Sequence, residues 1–301
     1  MTVDQTSGAA FHSLIDSVNP EDFCRIIPPI DQKQHLNRIF CGAHIPENDG
    51  NFFWIFDNID YKEWMQNLRT LVLSAPPERN LEQGAYYIVR HLQEVDAVTL
   101  PLYFFYRAAE RRHYLIWESM DKHEQLIAVS LHTLLYQLIG FPNFSKLRSQ
   151  SIVAAFLNHL LECRIESELA KMVTGDQLEN LKPLLAFATL KDLWDAFEKA
   201  LDVALDIGLS NNGSHHPALP AGISLTLIFD LDDAPIATWR LLLENMRTLQ
   251  RHLPVVKLLI TNPPTAGDLG LETARSEIHI EYDKERKGFI AHSNYCSLFS
   301  R

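Results

Sequence analysis

The sequence predicts a three-layer α/β sandwich built on a mostly parallel central sheet. Two observations carry that prediction. From residue 70 onward, apolar strand-like runs alternate with amphipathic helical stretches. That order puts helices on both faces of a sheet through right-handed crossovers. The stretch "LPLYFFYRA" (100–108) is an unbroken apolar run as far as Tyr106. Such a run suits a strand covered on both faces rather than one that alternates towards water.

The elements follow in order. Residues 1–45 read as a helical or irregular lead-in, broken by "NPED" and "IIPPID". The next stretch, "NFFWIFDNIDYKEWMQN", is rich in aromatics. Phe52, Phe53, Trp54, Phe56, Tyr61 and Trp64 are expected to close one end of a core, the commoner fate of such a cluster than an exposed docking face. Strand "TLVLSA" comes next. Over 81–93, Leu81, Ala85, Ile88, Val89 and Leu92 fall on one helical stripe. Strand 100–108 and helices near 123–139, 150–163 and 190–207 lead to "GLSNNGSHHPALPA" (208–221). Its Gly, Asn, Ser and Pro lack periodicity, so a mobile loop is expected. Strand "ISLTLIFDL", helix 236–252 and strand "VVKLLIT" follow, and the tail "SEIHIEYDKERKGFIAHS" reads as two strands around a polar turn. The chain thus divides into a lead-in (1–45), a main domain (46–270) and a C-terminal strand pair or tail (271–301).

Composition narrows the function. A chain of 301 residues with a formal net charge of -11 is poorly suited to gripping nucleic-acid backbone, which needs a basic face. The cysteines Cys24, Cys41, Cys163 and Cys296 form no C-x-x-C pair, and suit free thiols in a reducing compartment. No apolar run approaches the roughly 20 residues of a membrane helix. The N-terminus lacks the layout of a signal peptide. An intracellular protein of cytoplasm or nucleus is expected, without a membrane partner.

Ligands of parallel sheets bind at the carboxyl ends of the strands, which singles out loops 74–82, 229–234 and 261–265. The first has the outline of a phosphate-binding loop: a short apolar strand, a tight turn and an amphipathic helix. A P-loop would carry G-x-x-x-x-G-K-[ST] here, with backbone N–H groups, a lysine and a hydroxyl converging on phosphate and magnesium. Instead, Ala75 and Asn80 stand where glycines would, Leu81 replaces the lysine, and Glu82 replaces the hydroxyl. Glu78 adds a second carboxylate. Like charges about 4 Å apart repel by roughly 1 kcal/mol in water and roughly 4 kcal/mol at a partly buried site.

The stretch "FFWIFDNIDYKEWMQNLRTLVLSAPPERNLEQGAYYIVRHL" resembles the start of a fungal NACHT domain, a branch of the STAND class of P-loop NTPases. Trp54 and Trp64 fall in register with that family's F-x-W-I-F…W opening. "LYFFYRA" resembles its second strand, "LIAVSLHTLLYQLI" its L-x-x-S-L-L-Y-Q-L-L helix, "LTLIFDLDDA" its Walker B segment, and "VKLLITNPP" its sensor strand. The resemblance covers about residues 50–270 and implies a P-loop-NTPase-like sheet. In the Walker B segment, anchoring on the acids pairs Asp232 and Asp233 with D-E and leaves Phe229 at the magnesium aspartate; anchoring on the strand keeps Asp230 but needs a deletion. The simpler reading is that Asp230, Asp232 and Asp233 are solvated strand-end carboxylates. At the sensor, Asn262 keeps a polar turn and Pro263 occupies the arginine position.

Loss at all three sites implies a degenerate, non-catalytic pseudo-NTPase kept as a protein–protein interaction, scaffolding or regulatory module. No catalytic residue, cofactor or metal is expected, and the partners would be proteins, singly or as a multi-subunit assembly. Arg79, Arg107, Arg111 and Arg112 make a basic knot that could meet an acidic partner; a solvated turn is the simpler account. His215 and His216, with no acidic or cysteine neighbour in sequence, suit solvent better than a metal. The alternatives are a nucleotide-binding switch with rebuilt phosphate contacts and an unrelated enzyme on an α/β scaffold.

Overall fold

The computed structural model describes residues 15, 17–26, 29–32, 34–35, 54–66, 70–74, 81–95, 99–109, 117, 119–163, 181–205, 224–231, 233–261, 276–283 and 288–295. In chain order the elements are α1 (Pro20–Ile26), α2 (Trp54–Asp57), α3 (Ile59–Gln66), β1 (Thr70–Ser74), α4 (Leu81–Val95) and β2 (Thr99–Phe105). Next come α5 (Tyr106–Ala109), α6 (Lys122–Ile139), α7 (Lys146–Glu162), α8 (Leu181–Ala186) and α9 (Leu190–Leu205). The chain continues with β3 (Ser224–Asp230), α10 (Ile236–His252), β4 (Val256–Thr261), β5 (Ser276–Asp283) and β6 (Gly288–Tyr295). Two compact units emerge: residues 1–30 with 112–221, and residues 31–111 with 222–301.

The first unit is helical among its described residues. Helix α6 opens with a capping box: Asp121 Oδ1 accepts from the His123 and Glu124 amides at 2.7 and 2.9 Å, while Glu124 Oε2 accepts from the Asp121 amide at 3.1 Å. Ser145 caps α7, its hydroxyl accepting from the Arg148 amide at 3.2 Å. Helix α9 packs on both α6 and α7. Its last carbonyls are met by Arg148, which donates to Val203 O at 3.3 Å and to Ala204 O at 2.9 Å, an arrangement that answers acceptors otherwise left open at a helix end.

The second unit carries a six-stranded sheet in the order β2-β3-β4-β1-β5-β6. Only β6, paired to β5, runs antiparallel. The connection from β1 to β2 crosses the sheet one way, and that from β3 to β4 the other. Right-handed crossovers in opposite directions put α4 and α10 on opposite faces, which makes the three layers. On the α4 face, Leu71, Leu73, Phe105, Ile228 and Leu259 pack with Tyr61 and Trp64 of α3 and with Leu81, Ala85, Ile88, Val89 and Leu92 of α4. The alternate positions Val72, Leu102, Phe104, Leu227, Phe229, Leu258 and Ile260 are also buried, so both faces are covered.

The aromatic run behaves as core where it is described: Trp64 and Tyr61 are buried, and the Phe56 ring stacks on His91 with centroids 4.0 Å apart. The second strand is shorter than its apolar run. Its last ladder pair is Phe105↔Asp230, where β3 ends too; without a strand beside it, Tyr106 onward turns into α5. The expected loop 208–221, with His215 and His216, lies outside the described residues, as do Phe52 and Phe53. Among the described residues no helix is long and apolar enough to cross a membrane.

Candidate functional site

The candidate site is the carboxyl edge of the sheet, where β1, β4, β3 and β2 end side by side. Register sets one lateral row there: Leu73 beside Thr261, Thr261 beside Asp230, Asp230 beside Phe105. These residues share the face packed by α4, since Leu73 and Phe105 belong to its core cluster.

Between β1 and α4, positions Ala75, Glu78, Arg79 and Asn80 lie outside the described residues. The helix that follows holds the other two positions of the loop pattern. Leu81, in the lysine's place, is 2% exposed and sits in the core cluster with Leu71, Leu73 and Phe105. Glu82, in the hydroxyl's place, is 6% exposed, and its Oε1 hydrogen-bonds with His35 Nε2. A carboxylate in the first turn already complements the positive end of the helix dipole. Glu82 is therefore engaged within the protein rather than standing at an open mouth.

The three acids of the β3 end have separate fates. Asp230 closes the strand and is 3% exposed, so it is not a solvated carboxylate as the sequence suggested. Asp232 lies outside the described residues. Asp233 is exposed in a turn closed by the Ala234 amide donating to Leu231 O at 2.9 Å; its φ of 68° is one that Asp tolerates better than most residues. Arg107 reaches it, Nη2 lying 3.1 Å from Oδ2, which ties one member of the basic knot to the acidic loop. Both groups are exposed, so the pair adds little stability. Arg111, Arg112, Asn262 and Pro263 lie outside the described residues.

Sequence reasoning missed the lead-in residues that reach this edge. Asp31 starts a helical turn, its Oδ1 accepting from the Gln34 amide at 2.7 Å. Gln32, 3% exposed, accepts from the Phe105 amide at 2.9 Å through Oε1. The His35 ring lies against Phe105, centroids 6.4 Å apart, while its Nε2 meets Glu82. His35 and Glu82 are 47 positions apart, and among thirteen histidines no spacing rule selects this one.

The described residues of the edge offer little chemistry for a triphosphate. Leu81 is core and the Glu82 carboxylate is already partnered, so neither is offered to a phosphate. Among the described residues no three His, Cys, Asp or Glu side chains gather as a metal set. The described cysteines, Cys24 and Cys163, are both in the helical unit. Cys163 Sγ lies 3.6 Å from His159 Nε2, yet burial, with Asp192 and Asp195 beside it, holds that thiol above its ordinary value. Burial, with Glu21 adding, pushes Cys24 up to about 11. Neither is an activated thiolate. The chain matches no protein-family model and no curated protein.

Proposed function

We propose that the chain is a non-catalytic, NACHT-like pseudo-NTPase that acts as a protein–protein interaction, scaffolding or regulatory module. The observation that carries this reading is the fate of Leu81 and Glu82. The position that would offer an ammonium to phosphate is buried hydrocarbon, and the position that would ligate magnesium is a carboxylate bonded to His35. Oriented N–H groups and a lysine are what make a helix N-terminus hold phosphate, and a resident carboxylate competes with that anion. With the switch chemistry gone, the surfaces of the fold are what is left to act, and a protein partner is the reading that follows.

Calorimetric titration with ATP, ADP and GTP, each with and without magnesium, tests this directly. The expected result is no heat and no thermal stabilisation at millimolar nucleotide. Micromolar binding overturns the reading. One observation favours the second reading, a nucleotide-binding switch with rebuilt contacts: Asp230 keeps a buried carboxyl at the strand end beside Thr261. If nucleotide binds only with magnesium and Asp230→Asn abolishes it, that reading replaces the first.

A further inference from the structure

We propose that the turn joining α6 to α7 is a docking surface for a protein partner that presents an acidic amphipathic helix, with apolar side chains flanked by carboxylates. The inference rests on the preceding reading in taking the surfaces of the fold as what acts, and it names the chemistry of the partner.

The segment is described without a break from residue 119 to residue 163. Two of its large apolar side chains stand in water: Tyr136, on the last turn of α6, is 43% exposed, and Leu147, on the first turn of α7, is 56% exposed. Between them Phe141 and Phe144 are half-buried and meet edge-on, centroids 5.2 Å apart. Hydrogen bonds hold these rings in place. The Gly140 amide donates to Tyr136 O and the Phe144 amide to Phe141 O, both at 3.0 Å, and the Ser149 hydroxyl donates to Ile139 O at 2.7 Å. The Arg148 guanidinium, anchored on the last carbonyls of α9, lies 5.3 Å from the centre of the Phe144 ring. Aromatic side chains and arginine are what the cores of protein interfaces are enriched in. A surface already ordered also loses little freedom on binding.

Charge selects the partner. All 38 Asp and Glu residues of this chain, whose formal net charge is -11, lie outside residues 125–161. Helix α7 has no acid in its first turn, where Lys146 and Arg148 stand instead. Cations there oppose the positive end of the helix dipole. Arg148 has the α9 carbonyls to answer, but Lys146 is exposed and forms no ion pair among the described residues. Asp202, just ahead of those carbonyls, is paired with Lys199 at 3.7 Å. The turn is therefore an apolar patch with a basic fringe on an acidic chain, the complement of an acidic amphipathic helix. A second copy fits less well, because two-fold pairing of this turn sets like charges face to face. An anionic membrane also fits less well, since one outward lysine falls short of the basic cluster that holds a protein on such lipid.

The probe is a fluorescent helical peptide of about 18 residues, five turns, with leucines along one face and glutamates flanking them. Its control carries lysine in place of each glutamate. Fluorescence anisotropy on the full chain is expected to show binding of the glutamate peptide that weakens as salt rises, and at least about tenfold weaker binding of the control. Amide shifts of the unsubstituted protein should change around Phe141, Phe144 and Leu147, which tests the location without any variant. The exposed-site double variant Lys146→Glu/Leu147→Asp is expected to lose at least about tenfold in affinity at an unchanged urea midpoint. No binding, equal binding of both peptides, or shifts centred elsewhere overturns the proposal. So does unaltered affinity in the double variant. Two further results assign the surface to another occupant and also overturn it: binding to phosphatidylserine-containing vesicles that the double variant loses, or a concentration-dependent doubling of mass that it loses. Nucleotide titration reads the pseudo-NTPase reading separately, so either can fail alone.

Discussion

Leu81 decides more than any other single residue at the edge. Its side chain is buried among Leu71, Leu73, Ala85 and Phe105, so truncation leaves a cavity in a packed cluster. Leu81→Ala should therefore destabilise by about 2–5 kcal/mol, read as a lower urea midpoint at unchanged slope. Placing a lysine there should be worse, since an ammonium at that position would be buried without a partner. Leu81→Lys is thus expected to melt below Leu81→Ala and to gain no nucleotide binding. A Lys variant as stable as the wild type would show that the position opens to water. The sequence made plain that a leucine stands where a P-loop would carry lysine. It did not reveal where the leucine went, because Leu81 belongs at once to the loop pattern and to the apolar stripe of α4. Glu82 was legible as a carboxylate out of place, but its partner was not: no pattern connects residue 35 to residue 82.

At the scale of elements, periodicity was a good guide wherever one face of a helix meets a core. Helices α4, α6, α9 and α10 fall within a few residues of the stretches their apolar spacing marks. Ends were harder, because they depend on partners. Strand β2 stops where β3 stops, a fact of register that an apolar run cannot encode. Helix α7 begins ahead of its apolar face because Ser145 caps it. For α6 the boundary rests on side-chain chemistry that can be removed. Asp121→Ala deletes the acceptor for two amides, and about 1 kcal/mol of stability should go with it. A thermal melt unchanged by Asp121→Ala would mean that packing alone fixes that end. The aromatic lead-in makes a larger prediction: Trp64→Ala should destabilise by about 3–5 kcal/mol, since the ring is wholly buried against β1 and α4. An unaltered urea midpoint would instead return the aromatics to the status of a docking face.

At the scale of the whole molecule, the layer architecture was readable because alternating strands and helices leave few ways to bury both faces of a sheet. The strand order was not, since β1 and β4 become neighbours only through crossovers that local pattern does not specify. Nor did composition reveal the ionisable group whose burial bears on global stability. His132 lies in α6, 5% exposed, its ring against Phe23 of α1 at 5.5 Å between centroids, and burial lowers its pKa to about 4 from 6.5. Phe23 in turn meets Phe156 of α7 edge-on, so the imidazole sits in aromatic surroundings that cannot accept a second proton's charge. Because the folded value lies below the unfolded one, the unfolded chain binds the proton more readily. The neutral-histidine contribution is complete above pH 6.5 and is lost progressively as the pH falls towards 4. The shift corresponds to about 3 kcal/mol across that window. Urea midpoints measured from pH 7.5 to 4 should therefore fall more steeply for the wild type than for His132→Phe, which keeps the ring and removes the titration. Carboxylates common to both proteins cancel in that comparison. If the two profiles run parallel, protonation of His132 is not what loosens the helical unit in acid, and the ring must reach water before it takes the proton.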